Sequence, residues 1–173
     1  KNRFYVVPHA ISMGMSSMDE MVAYRQTRAE GGWGVICIEE TMIHQTSDHA
    51  PLPDPCLYDD RHIAPIARIV EAVKEHGALA GVELAHAGAS GPAAYYREHP
   101  LSPTAKFPHY FNNPISARTI DKQDIAEFRR WYREAAVRAK TAGFDIVYVY
   151  ATHGYLLSDF LSPQHNRRTD EYG

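Results

Sequence analysis

Four short apolar runs alternate with three helix-like segments, and this alternation most restricts how the chain of 173 residues can fold. The runs, at 4–7, 35–38, 79–84 and 145–150, are nearly continuous in apolar or aromatic residues. Continuous runs of this kind are typical of parallel strands that are covered on both faces. The order β-α-β-α-β-α-β therefore predicts an α/β fold built on a parallel sheet.

Two of the segments between the runs, 60–76 and the one from about Asp121, carry helical patterns of apolar residues, and the first segment carries signals for the start and end of a helix. Helices are predicted over 18–30, over 60–76 and from about Asp121 onward. Ser17 and Glu20 have the spacing of a capping box at the start of the first helix. A glycine follows each segment, and glycine commonly ends helices.

Two architectures satisfy this order of elements: a doubly wound sheet and a (β/α)₈ barrel. A dinucleotide-binding sheet should carry G-x-G-x-x-G after a strand, and neither GGWG nor AGASG matches it. Each strand instead ends in side chains with chemistry: Pro8-His9, Glu39-Glu40, Glu83, and Tyr150 with His153. Functional groups at the carboxyl ends of all strands favour the barrel. Since eight units take roughly 250 residues, we predict that 1–173 is one incomplete domain of about four βα units with exposed sheet edges.

The stretch VYVYATHGY, residues 147–155, places phenols and an imidazole where the last strand ends. Because the strand period is two, Tyr148 and Tyr150 share one face, and Tyr150 would lie at the rim. His153 follows after a tight bend. Together Tyr150 and His153 can hold a polar group of a substrate or relay a proton. The alternative, that Tyr150 packs and His153 caps the next short helix, stays open.

The longest connection, 86–118, is long for a segment without regular structure, and it is predicted to be a lid or substrate loop or else an inert decoration. Cys37 and Cys56 are expected to be free thiols, with a disulfide as the less favoured alternative. The other histidines show no metal-binding spacing, so we expect no metal site and structural roles for all of them. They are His44, His49, His62, His76, His86, His99, His109 and His165.

Composition narrows the classes of partner. The net charge is −3 with both signs interspersed, which argues against binding of nucleic acid. No apolar run approaches the ~20 residues of a membrane span, and no signal-peptide core is present near residue 1. The chain is therefore predicted to be soluble and cytoplasmic.

Four stretches carry a family resemblance: NRFYVVPHA at 2–10, GGWGVICIEET at 31–41, GVELAHAG at 81–88 and HGYLLSDFLSPQHNRRTDEYG at 153–173. In content, order and spacing they resemble the old yellow enzyme family of FMN-dependent oxidoreductases, over essentially the whole chain. The resemblance implies a (β/α)₈ barrel with FMN at the carboxyl ends of the strands, continuing beyond the last residue here.

Most ene reductases of that family carry His-x-x-His or His-x-x-Asn where this chain has Tyr150 and His153. The Tyr-x-x-His form is similar to the trimethylamine and dimethylamine dehydrogenases, which act on N-methyl amines. This resemblance implies that Tyr150 and His153 are catalytic and bind substrate above the flavin. In that subgroup they work with an acidic residue from a later strand, which lies outside this chain.

The resemblance also implies the residues that hold the cofactor. Pro8, His9 and Ala10 would form a backbone floor against the isoalloxazine. Ala10 stands where the trimethylamine enzyme carries a cysteine bonded to FMN, so non-covalent FMN is expected. Glu83 stands where many members have a flavin-binding glutamine, and its alternative role is a capped acid at the strand end.

Glu40 replaces an aromatic wall residue of the trimethylamine enzyme. An aromatic cage suits a quaternary-like ammonium, whereas a carboxylate suits a protonated amine. Glu40 is therefore predicted to border both cofactor and substrate, and Tyr155 to join the substrate site. A salt-bridged structural acid is the alternative for Glu40.

The leading hypothesis is an FMN-dependent oxidoreductase that dehydrogenates or demethylates a small N-methylated amine by hydride transfer to flavin. The alternatives are an NAD(P)H-dependent ene reductase of the old yellow enzyme or 2,4-dienoyl-CoA reductase type, and a fragment that binds nothing. The FMN phosphate site, and a 4Fe-4S cluster and second nucleotide if present, would lie outside this chain. The electron acceptor, a protein or NAD(P)H, is left open, and a homo-oligomer is expected at full length.

Overall fold

A computed structural model describes residues 2–49, 54–105 and 115–173 of the chain. The described residues form six strands and four α-helices. The strands are β1 (Tyr5–Val6), β2 (Val35–Met42), β3 (Leu79–Ala85), β4 (Leu101–Ser102), β5 (Arg118–Thr119) and β6 (Ile146–Val149). The helices are α1 (Met18–Glu30), α2 (Ile63–Glu75), α3 (Lys122–Ala142) and α4 (Leu156–Leu161).

The main sheet is parallel throughout and has the order β1-β2-β3-β6. Each of its strands lies beside the strand that precedes it in the sheet along the chain, with a helix between them. A doubly wound sheet would reverse direction at a switch point. The uninterrupted order is that of successive units of a (β/α)₈ barrel, as the sequence predicts.

The helix predictions are confirmed in position, but one predicted cap is wrong. Ser17 precedes α1, yet its side chain makes no capping hydrogen bond. The chain enters α1 directly from a 3-10 turn, Met15–Ser17, so Ser17 has φ −123° and ψ 44° instead of the extended backbone of a capping residue. At the start of α3, in contrast, Asp121 and Asp124 form a reciprocal capping box.

Strand β2 runs four residues further than its apolar run and contains a β-bulge. Ile38 pairs with Val82, and the next partner of β3, Glu83, pairs with Glu40, so Glu39 is the extra residue. In regular alternation Glu40 would point to the same side as Ile38. The bulge reverses that alternation and turns Glu40 to the face on which Glu83 lies.

The core lies between the sheet and the helices. Alternate residues of β2 and β3 on the helix side are fully buried, and they pack against the apolar stripes of α2 and α3. They are Ile36, Ile38, Val82 and Leu84 from the strands, with Ile66, Ile69, Val70, Phe128, Ala135 and Ala139 from the helices.

Apolar side chains remain exposed at both edges of the main sheet. Val147 is 38% exposed and Val149 59% exposed on β6, and Phe4 and Val7 are exposed beside β1. Exposed edges are what the sequence predicts for four units of a barrel.

The connection at 86–118 contains regular structure, contrary to the prediction. It holds a 3-10 turn, Gly88–Ser90, and a parallel pair of two-residue strands, β4 and β5. Pairs this short have no period that a sequence pattern could reveal. Residues 106–114, with His109, lie outside the described part of the chain. Cys37 and Cys56 are free thiols, as predicted, and both are buried.

Candidate active site

The carboxyl ends of the main strands border a cleft of about 500 Å³. The structure brings every predicted site residue to this cleft, together with two residues that were not predicted, His49 and Thr152. The predicted residues are Pro8, His9, Ala10, Glu40, Glu83, Tyr150, His153 and Tyr155. No described residue of 86–118 lines the cleft, so the lid role of that connection stays a prediction.

Tyr150 and His153 form a pair at one wall of the cleft. The Tyr150 hydroxyl and His153 Nδ1 share a hydrogen bond of 2.5 Å. Tyr150 is 9% exposed, and its backbone N–H still donates to Leu84 of β3, which fixes the ring at the rim. His153 is exposed and has φ 56°, the left-handed geometry of the bend that brings it back to Tyr150. His153 does not cap α4, whose N-cap residue is Tyr155.

Glu40 and Tyr155 form a second polar contact in the cleft. The Tyr155 hydroxyl donates a hydrogen bond of 2.9 Å to Oε2 of Glu40. Burial alone would raise the pKa of Glu40, but hydrogen bonds from His49 and Tyr155 outweigh burial and hold that pKa below its ordinary value. Glu40 is therefore ionised at neutral pH and gives the cleft wall a negative charge.

His49 is a site residue that the sequence analysis missed. We expected it to be a structural loop histidine, but its Nδ1 lies 3.4 Å from Oε1 of Glu40 and 3.1 Å from Oδ2 of Asp54. The same nitrogen lies 3.3 Å from the Tyr155 hydroxyl. Burial would lower the pKa of His49, but the hydrogen bonds and charges of Asp54 and Glu40 raise it to about 9. Only the long-range fold brings His49 to Tyr155, so no local pattern could have found it.

Glu83 lies beside Glu40 on the cleft face of the sheet. Burial, followed by the charge of Glu40, raises the pKa of Glu83 to about 7. No hydrogen bond contributes to that shift, so within the described residues the Glu83 carboxyl faces the cleft as a half-buried acceptor. Such an acceptor fits the N–H edge of a flavin pyrimidine ring.

The segment Pro8–Ala10 lines the cleft. The His9 ring turns away and contacts the Tyr24 hydroxyl at 3.0 Å. Behind the segment, the buried Arg25 guanidinium donates a hydrogen bond of 3.3 Å to the His9 carbonyl and pairs with the buried carboxylate of Glu39. The Pro8–Ala10 segment and the Glu83 acceptor lie in one cleft, an arrangement compatible with the ring system of FMN. Among the described residues, no lysine or arginine lines the cleft, so these residues offer no cation for the phosphate.

Known proteins resemble this chain over its whole length. The model of the NADH:flavin oxidoreductase / NADH oxidase family matches residues 1–173. A solved 6-hydroxypseudooxynicotine amine oxidase from Pseudomonas geniculata N1 is 74% identical, with a TM-score of 0.97, over 100% of this chain and 26% of its own. Histamine dehydrogenase from Rhizobium sp. 4-9 is 46% identical, with a TM-score of 0.96, over 100% of this chain and 25% of its own.

Among curated proteins, dimethylamine dehydrogenase from Hyphomicrobium sp. (strain x) is 34% identical over 100% of this chain and 24% of its own length. The chain thus spans about a quarter of the length of these three relatives. None of the helices in the described parts of the chain has both the length and the apolar character needed to span a membrane.

Proposed function

The chain belongs to the NADH:flavin oxidoreductase / NADH oxidase family, and from this premise we propose that it forms part of an FMN-dependent oxidoreductase that dehydrogenates a small N-methylated amine. The observation that carries the proposal is the ionised Glu40 in the same cleft as the Tyr150–His153 pair. A carboxylate attracts an ammonium, and a phenol–imidazole pair can accept its proton. Neither feature is needed to pack a strand end.

Each group has a defined task in this proposal. Glu40 binds the substrate ammonium and places it in the cleft. His153 takes the nitrogen proton through the Tyr150 hydroxyl, because only the neutral amine readily loses hydride from the adjacent carbon. FMN, when bound, supplies the hydride acceptor. The amine thus loses one hydride and one proton and leaves as an iminium ion, which water hydrolyses.

Two groups of this chain would hold FMN without a covalent bond. The Pro8–Ala10 backbone would contact the flat ring, and Glu83 would accept from its pyrimidine N–H groups. Ala10 has no nucleophile for a bond to flavin. The chain has only 2 cysteines, fewer than the four ligands of a 4Fe-4S cluster, so a cluster would need ligands from outside this chain.

The relatives support an amine as substrate. The names of two solved neighbours and one curated relative specify an amine oxidase, histamine dehydrogenase and dimethylamine dehydrogenase. The family description, however, names NADH as reductant and supports a second candidate, a nicotinamide-dependent ene reductase. In that candidate Tyr150 would donate a proton to the activated C=C and His153 would bind the carbonyl.

One experiment separates the two candidates. The FMN-loaded protein is mixed anaerobically with dimethylamine, histamine and other amines, and separately with NADH and NADPH, while flavin absorbance is followed. We expect an amine to bleach the flavin in a single turnover. Bleaching by a nicotinamide alone would overturn the amine proposal and establish the second candidate.

A further inference from the structure

A largely buried charge network lies at the cleft wall, where Glu40, His49 and Tyr155 all line the cleft. His49, from the connection after β2, contacts Glu40 of β2, Asp54 of the following loop and Tyr155 at the start of α4. The charge of His49 also acts on His86, which follows β3: after burial and His44, it contributes to lowering the pKa of His86. The Asp54 carboxyl is as well shielded from solvent as the imidazole. The network thus joins three separate parts of the fold around one nitrogen.

Charge counting shows what the network does to Glu40. Two carboxylates next to each other would repel, and burial raises the pKa of Asp54. A proton on His49 neutralises one of the two charges, so the cluster carries one net negative charge, which Glu40 presents to the cleft. Of the Glu40 oxygens, Oε2 accepts from Tyr155 and Oε1 faces His49. The carboxylate is therefore held at both ends.

We propose that His49 is a positioning residue that keeps Glu40 ionised and oriented, and so makes the cleft select cationic amines. This inference rests on the proposed function. His49 acts through Glu40, because its Nδ1 lies 3.4 Å from Oε1 of that carboxylate. Without this partner, Glu40 would be held by the Tyr155 hydroxyl alone or would take up a proton, and in either case it would attract an ammonium less.

The test measures binding in the FMN-loaded protein with tetramethylammonium, a cation that has no electron pair on nitrogen and is not dehydrogenated. Calorimetric titration compares the wild type with His49→Gln, Glu40→Gln and the double variant. Each single variant should raise Kd about tenfold, which corresponds to ~1.4 kcal/mol. The double variant should bind no more weakly than Glu40→Gln alone, because the two residues act as one unit. A hundredfold loss in the double variant, or an unchanged Kd in His49→Gln, would overturn the inference.

Further measurements exclude a merely structural role. His99→Gln, on the exposed surface, is the matched control and should leave Kd unchanged. In the wild type, Kd should change between pH 8 and 9.5, because loss of the His49 proton alters the charge beside Glu40, and His49→Gln should remove that change. Asp54→Asn keeps the imidazole but should move that change to lower pH. A pH profile identical in wild type and both variants would contradict the proposal.

Glu40, His49 and Asp54 each offer one potential ligand atom, and these three atoms lie within 4.8 Å of one another. A metal ion could also bridge atoms at this spacing. Stoichiometric metal by elemental analysis, or loss of cation binding after EDTA, would overturn the role of a protonated His49. Failure of the two ideas is distinguishable. If amines do not reduce the flavin but tetramethylammonium binds in the expected pattern, the proposed function fails and the inference stands. If the wild type does not bind tetramethylammonium, the inference fails.

Discussion

Tyr155 donates a hydrogen bond of 2.9 Å to Glu40 across 115 positions of the chain. The bond joins the N-cap position of α4 to the bulged end of β2. The Tyr155 ring also packs against Tyr150 with centroids 4.9 Å apart and against His49 at the same distance. One side chain thus links the Tyr150–His153 pair to the Glu40 carboxylate.

Tyr155→Phe should keep this packing and remove only the donor. Loss of one hydrogen bond to Glu40 corresponds to about 1 kcal/mol, so we expect Kd for a reducing amine to rise roughly fivefold. The limiting rate of flavin reduction should change little. Anaerobic stopped-flow titration separates the two quantities. Tyr95→Phe, at an exposed position, serves as control, and an unchanged Kd in Tyr155→Phe would show that the bond does not assist binding.

Tyr150→Phe should lower the limiting rate of flavin reduction and have little effect on the binding of the amine. The change removes the hydroxyl that contacts His153 Nδ1 at 2.5 Å, and general acid–base groups contribute about 10²–10⁴-fold to rate. We expect the limiting rate of flavin reduction by amine to fall by roughly 10²-fold, with a smaller change in Kd. FMN affinity, followed by fluorescence, should be unaffected. A rate within a few-fold of wild type would mean that Tyr150 only packs.

Arg25→Met should destabilise the fold. Arg25 and Glu39 are both fully buried and paired, and removing one partner of such a pair costs about 3–5 kcal/mol because the other charge is left unpaired. Urea denaturation should show this loss in the free energy of unfolding. The double variant Arg25→Met/Glu39→Met should recover most of it. A double variant as unstable as the single one would show that the hydrogen bond from Arg25 to His9 is the larger contribution.

Glu83 should make stability depend on pH in a defined direction. The folded protein raises the pKa of Glu83 from 4.5 to about 7, so the folded state holds its proton more tightly than the unfolded state. The resulting stabilisation is fully present below about pH 4.5 and is lost as pH rises to 7. Glu83→Gln should abolish this part of the dependence. Melting temperatures of the FMN-free variant and wild type, measured from pH 5 to 8, should therefore diverge, with the variant relatively more stable at pH 8. Parallel curves would contradict the shift.

Local patterns predicted the helices better than the strand ends. The first helix was predicted over 18–30 and is found at Met18–Glu30, because the glycines that end it, at 31 and 32, directly follow it in the sequence. Strand β2 was predicted to stop at 38 but continues to Met42. Three of its last four residues are polar, Glu39, Glu40 and Thr41, and the strand continues through them because of its pairing with β3 and not because of any apolar pattern.

The candidate site divides in the same way. Residues near the carboxyl ends of strands, such as Glu83 within β3 and Tyr150 just after β6, could be placed at one rim from topology alone. His49 and Asp54 could not, because they lie beyond the end of β2 in an irregular connection and meet Tyr155 only in the folded chain. The bulge at Glu39 is likewise invisible in the sequence, since two adjacent glutamates do not reveal which one faces the helices.

That bulge has a consequence for how such a protein can diversify. The two neighbouring glutamates lie in separate environments: Glu39 forms the buried ion pair with Arg25, and Glu40 lines the cleft. Substitutions at Glu40 can therefore retune the ligand preference while the interior stays intact. Deletion of a single residue here would remove the bulge and turn the remaining glutamate to the other face of the sheet. We therefore expect this part of β2 to accept a different side chain at position 40 but not a change in the number of residues.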